Sequence, residues 1–386
     1  MITMVTKMQR RQFLLFAGSL AAMGAVTAAT EVMKSKSAPV LSDAHTAKAP
    51  AFLYSASDDS GGQHFLSRVH LNGSDKTSHR IAFRAHDVLA LTNDQVLAFG
   101  RRPETLCAVI GMRSGEQQLI EAAADRHFYG HGCLSADGAV LFTTENDFEA
   151  ARGVIGIRDA RSLAQIGEYE TYGVGPHDIH LMPDGKTLVI ANGGIETHPD
   201  FGRRKLNLKT MQPSLVYVDV ASGKKLDEYR LDDHQLSIRH LSITEKGDVG
   251  VAMQYQGDIY RKQPQTLVAW QQAGGELKAL PVAGEDISHF QGYMADLAYA
   301  AASGLLAVTS PRGNRVAFWD VQTQRFVSAV KLPEPSGIQY LAEQQVFLVS
   351  GAKGALYQLD AMAPEQQVVV LHKAEDTLWD NHMVLG

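Results

Sequence analysis

Cysteine is nearly absent: the 386 residues hold two, Cys107 and Cys133. So few exclude a disulfide scaffold, and without a CxxC or CxxCH motif they also exclude zinc ribbons and covalently attached haem. Both lie in apolar, strand-like stretches, so two buried free thiols are expected. A cationic excess is absent too. Lys and Arg number 36 against 42 Asp and Glu, for a formal net charge of −6. A nucleic-acid partner would call for a basic surface, and none is expected. There is no GxSxG, no P-loop and no Gly-rich dinucleotide fingerprint. The carboxylates are scattered, so no glycosidase-like pair stands out and no catalytic residue is assigned. Past the N-terminal segment no run is apolar enough to cross a bilayer, so no membrane span is expected after signal cleavage.

That N-terminal segment has its own character. "MQRRQFLLFAGSLAAMGAVTAA" carries paired Arg10 and Arg11, then an uncharged Ala/Gly-rich stretch with small residues around Thr27–Ala29. Residues 1–30 resemble a twin-arginine export signal. A retained anchor is the alternative, but the uncharged run is short and only weakly apolar. The resemblance implies export to the periplasm in the folded state. Residues 31–50 are small, polar and Pro-containing, and read as a flexible leader.

Beyond residue 50 helical periodicity gives way to short apolar runs broken by Gly, Asp, Asn and Pro turns. The runs repeat. "HDVLALTNDQVLAFG" (86–100), "HGCLSADGAVLFTTE" (131–145), "HDIHLMPDGKTLVIA" (177–191) and "HLSITEKGDVGVAMQ" (240–254) share a histidine, a short strand, a polar turn and a second strand. Weaker copies begin near 294 and 338, and a third strand such as "SLVYVDV" or "RVAFWDV" follows each. Most steps are about 45 residues, the length of a four-stranded propeller blade. "WDNHMVLG" (379–386) starts a seventh copy, whose outer strands are available in 51–83. The expectation is an all-β, seven-bladed β-propeller over 51–386, its last blade closed by strands from both termini, which leaves no exposed sheet edge.

"PDGKTLVIAN" resembles the YVTN-type propeller repeats of bacterial envelope proteins. Together with the export signal and the "HG", "HDIH" and "ETHPDFGR" segments, the chain resembles an uncharacterised family of exported bacterial propellers, often encoded beside imelysin-like iron-uptake proteins. The resemblance covers nearly all of the mature chain. It implies a part in iron acquisition and an envelope iron-uptake protein as partner, and it supplies no activity.

Aligning the turn glycines Gly138, Gly185 and Gly247 puts His131, Asp178 and His240 in one column, with His382 at the matching place in the last repeat. His177 falls one residue earlier and His86 about two. His180, two past Asp178, points the same way by strand alternation. In a propeller this column lines the central channel, so six histidines are candidate ligands: His86, His131, His177, His180, His240 and His382. Imidazole suits Fe, Cu, Zn and Ni, and iron or copper is the expected ion. The alternative is structural: polar residues at these places bond the neighbouring blade, the role expected of Asp178. His64, His70, His79, His234, His289 and His372 lie off the column and are expected at the surface.

The long loop 193–214 is expected to fold over the channel mouth as a lid, presenting Glu196, His198, Asp200, Arg203 and Arg204. Shorter loops on that face add Arg101, Arg102, Glu145, Asp147, Glu149, Arg261, Lys262, Arg312 and Arg315, a rim of mixed charge. Three functions fit: a metal-binding envelope protein, a non-catalytic scaffold docking a partner on the same face, and an envelope oxidoreductase or hydrolase. A monomer is expected.

Overall fold

Short apolar runs ended by turn residues make short strands, and in the computed structural model seven sets of four pair into antiparallel sheets. The structure describes residues 52–92, 94–282 and 286–386. The export signal expected over 1–30, the leader over 31–50 and the domain's first residue lie outside them. The sheets are the blades of a seven-bladed β-propeller. Blades 1 to 6 have inner strands Ala85–Ala90, Arg126–Leu134, Pro176–Leu181, Leu236–Ile243, Leu297–Ala300 and Ile338–Leu341; blade 7 has Leu378–Leu385. Each inner strand packs beside the inner strands of its two neighbours, which closes the ring.

Burial grades outward along each blade. Val140–Asp147, the second strand of blade 2, is buried throughout, while Lys225–Tyr229, the outermost strand of blade 3, has no buried residue. Middle strands are covered by a neighbouring blade on both faces, so they read as continuous apolar runs; outer strands see water. Between blades 5 and 6, Phe318 and Phe347 are fully buried with ring centroids 5.9 Å apart. Side chains of this kind stabilise by about 1.5–3 kcal/mol each. The three turn glycines that align the repeat have φ of 67° (Gly138), 67° (Gly185) and 85° (Gly247), the left-handed region where a Cβ is strained.

Blade 7 takes its inner strand from the C-terminal end and Phe52–Asp58, His64–His70 and Lys76–Ile81 from the N-terminal side. Leu53 pairs with Leu385 and Ser55 with Met383. Cys107 is buried and Cys133 half-buried, both free, and burial pushes both thiols up. Among the described residues no helix is long and apolar enough to cross a membrane.

Candidate metal centre

Five of the seven inner strands bring a histidine to the place where their pairing breaks. The register jumps at Ala85/Val88, Phe128/Gly132, Pro176/Asp178 and Ile238/His240, and in blade 7 between Ser55 and Ser57, opposite Met383 and Trp379. His86, His131, His177, His240 and His382 lie in or beside these jumps. A bulge re-aims the side chain it carries. The offsets of one and two residues that separate His177 and His86 from the aligned column therefore vanish in space.

His86, His131, His240 and His382 are all buried, and one coordinating nitrogen from each lies within 4.8 Å of every other. His177 packs against the group, its ring 5.3, 5.2 and 4.6 Å from those of His86, His131 and His240. The backbone must come close to allow this: a Cβ on Gly130 would stand 2.8 Å from the His86 ring.

An acceptor orients each of the four rings. Nδ1 of His86 is 2.8 Å from Asp380, Nδ1 of His131 is 3.0 Å from Asp87, and Nδ1 of His382 is 3.3 Å from Asp296. Nδ1 of His240 bonds the Ala295 carbonyl. With Nδ1 spoken for, Nε2 is the nitrogen each ring has left to offer. This is the carboxylate–histidine arrangement that fixes tautomer and direction at metal sites. Nε2 of His382 lies 3.1 Å from Nε2 of His240, while Nε2 of His131 and Nδ1 of His177 are buried without any hydrogen-bond partner. Buried polar atoms are normally satisfied, so two orphaned ring nitrogens in one cluster need an explanation.

Charge in the cluster is uneven. Burial, more than Asp380 can offset, pushes His86 down to about 3. Burial and the neighbouring imidazoles hold His177 and His240 well below the usual histidine range. Burial opposes charge on His382 too, yet Asp296, with Asp87 and Asp178 behind it, lifts it to about 9. His86, His177 and His240 are thus held as neutral imidazole, the form that binds metal, with carboxylates around the set.

His180 stands apart from this group. It lies on the same side of the strand as Asp178, which its Nε2 contacts at 3.3 Å, but its side chain is 40% exposed. Two residues along a strand is roughly 6.6 Å, enough to carry it past the cluster. Asp178 bridges blades as expected, accepting the Leu241 N–H at 2.9 Å and the N–H of its own neighbour Ile179 at 2.8 Å.

A cavity of about 220 Å³ borders the cluster through His86 and His177. Of the five lid residues, only Arg203 lines it. His198 caps the short turn Pro199–Phe201 and has Glu149 at 3.5 Å. Asp200 is exposed, Arg204 lies 5.8 Å over Phe201, and half-buried Glu196 ties down its loop through backbone bonds with Asn207 and Leu206. Two of the carboxylates expected on the rim point elsewhere. Glu145 is fully buried 3.2 Å from Arg158, and Asp147 holds Arg126 at 3.1 Å and Arg152 at 3.0 Å. Arg101, Arg102 and Arg312 line the cavity; Arg261, Lys262 and Arg315 do not.

Sequence reasoning missed Lys205, Arg239, Tyr129 and Tyr293, which also line the cavity. It missed the orienting carboxylates Asp87, Asp296 and Asp380 as well. A signal existed for part of this: Asp87 follows His86 as Asp178 follows His177, and Arg239 precedes His240 as His177 precedes Asp178.

A family model described as "Protein of unknown function (DUF1513)" matches residues 79–386. No curated protein matches. Among solved structures the chain is similar to one described as "Kuenenia stuttgartiensis Hydrazine Synthase", with a TM-score of 0.57 and 15% identity, covering 87% of this chain and 99% of that one. At that identity the likeness bears on the fold alone.

Proposed function

The chain belongs to this family of proteins of unknown function, so any activity has to be read from the hub, and we propose that it holds a transition-metal ion on His86, His131, His240 and His382. One observation carries this reading: four buried imidazoles offer nitrogens within 4.8 Å of one another, while acceptors hold the opposite nitrogens. His177 is the supporting fifth ring. Iron or copper is the proposed ion, since all-imidazole donors suit both and the resembling exported propellers are encoded beside iron-uptake proteins. Export through the N-terminal signal, residence in the periplasm as a monomer, a part in iron acquisition and an iron-uptake partner belong to the same proposal. Metal holding, not turnover, is its expected mode.

The test is elemental analysis of protein purified from its native envelope, followed by titration of the metal-free protein with Fe(II) and Cu(II). Stoichiometric metal, lost in the His240→Ala variant, supports the reading. Protein that arrives metal-free and binds neither ion overturns it. The docking-scaffold alternative has less support, because two of the rim carboxylates on which a mixed-charge docking face depends, Glu145 and Asp147, are turned into ion pairs of their own.

A further inference from the structure

The cavity beside the histidines is walled by charge of one sign. Arg101, Arg102, Arg203, Lys205, Arg239 and Arg312 line it, and no carboxylate does. They come from four blades of a chain whose net charge is −6, so composition does not account for them. Arg101 has Asp380 at 3.4 Å. The other five pair with no carboxylate among the described residues. Arg239 is the telling member: it is 6% exposed, and its Nε is buried without a partner. A guanidinium does not deprotonate in a protein, so burying one without a counter-ion is costly. Two more are held over aromatic faces, Arg102 at 5.4 Å from the Tyr129 ring and Arg312 at 4.5 Å from the Tyr293 ring. Such stacking orders the planar fork without neutralising it.

We propose that this cavity binds a small, multiply charged anion, an oxyanion or a polycarboxylate, directly against the histidine hub. Guanidinium forks match carboxylate and phosphate oxygens in pairs. Tyr129, Tyr293, Gln254 and Asn381 add neutral hydrogen-bonding groups to the same wall. At about 220 Å³ the cavity is smaller than the roughly 300 Å³ at which pockets for drug-sized ligands begin, which suits a small anion. Crowding among like charges is visible in Lys205: burial, then Arg239 and Arg312, push it down to about 8. An anion relieves that repulsion. His86 belongs to both the cavity and the four-histidine group, and His177 lines the cavity while packing on that group, so a bound anion sits beside the proposed ion, as its counter-anion or as part of an anionic chelate. This last link rests on the metal reading; the anion site itself rests on the cations.

Isothermal titration calorimetry of the metal-free protein with citrate, and separately with inorganic phosphate, tests the site. Saturable one-to-one binding of at least one of them is expected, weakened tenfold or more in Arg239→Gln and in Arg312→Gln. Arg312 is exposed, so its variant folds even if the buried Arg239 variant does not. Preference for citrate identifies a polycarboxylate site, and preference for phosphate an oxyanion site. No saturable binding of either, or equal affinity in wild type, Arg312→Gln and Arg203→Gln, overturns the proposal. The same titration on His240→Ala separates the two readings: anion binding that survives there supports this site even if metal is never bound. Metal binding without anion binding in the wild type leaves the hub reading standing and removes this one.

Discussion

His382 and His240 meet nitrogen to nitrogen, 3.1 Å apart, although 142 positions separate them in the chain. Neither ring can turn away, because Asp296 holds the far nitrogen of one and the Ala295 carbonyl that of the other. Two buried ring nitrogens this close need something between them. Asp296 favours a proton on His382 while burial favours neutral His240, so without a metal His382 is the donor of the pair.

A metal ion that replaces this arrangement stabilises the fold by mass action. At a hundred times Kd the gain is about 2.7 kcal/mol, and in a domain of this size that is a rise in Tm of roughly 4 °C. Calorimetry with and without Cu(II) or Fe(II) is expected to show the rise in wild type and in His180→Ala, a smaller one in His177→Ala, and none in His240→Ala. Loss of the rise in His180→Ala would contradict its place outside the group.

Asp178→Ala is expected to lose stability rather than a ligand. The carboxylate accepts the Leu241 and Ile179 N–H groups and faces His131 at 3.4 Å and His180 at 3.3 Å. Leaving buried donors without their acceptor costs about 1–3 kcal/mol. Urea denaturation of the metal-free protein measures it.

Removing one side of the buried Glu145–Arg158 pair is expected to cost more. Glu145 is fully buried and Arg158 is 2% exposed. Arg158→Met strands a carboxylate and should destabilise by about 3–5 kcal/mol, while Glu145→Leu combined with Arg158→Met should recover most of the loss. Denaturant midpoints of the two proteins decide it; equal midpoints would refute the burial argument.

Anion affinity is expected to fall as pH rises through about 8. Lys205 is depressed from its usual value first by burial, then by Arg239, Arg312, Arg102 and Arg203; Gln256 accepts its hydrogen bond. Below that pH the ammonium adds to the pull on an anion, and above it the amine does not. Without an anion the sign for stability is the reverse. Between about 8 and the ordinary lysine value the unfolded chain binds the extra proton, so stability rises with pH there. Lys205→Met should flatten both profiles, as read by calorimetry and thermal melts across pH 7–10.

The repeat made the fold legible because its period is local. A turn glycine, a strand and a neighbouring strand lie close together in the chain, and seven such units leave one way to close. Blade 7 was legible for the same reason, as a fragment at one end matched by strands at the other. The histidines were legible as a set but not in depth. Strand alternation put His180 beside Asp178, where it is, but gave no warning that bulges bring His86 into the group and His177 against it. The rim was the least legible. Whether Glu145 faces the channel or Arg158 depends on side-chain pairing inside blade 2, and no periodicity records that choice.

The closure of blade 7 also sets an order in time. Phe52 and Gly386 exchange backbone hydrogen bonds, 3.1 Å in each direction, and the strand that ends there carries both Asp380 and His382. A ribosome delivers that strand after all the others. Until it arrives, Phe52–Asp58 waits with an unpaired edge, and His86 and His240 wait without their partners. Pairing across nearly the whole chain is slow to find, and here the same late event zips the ring and finishes the pocket. A chain lacking Leu378–Leu385 is therefore open at the edge of blade 7 and incomplete at the hub together.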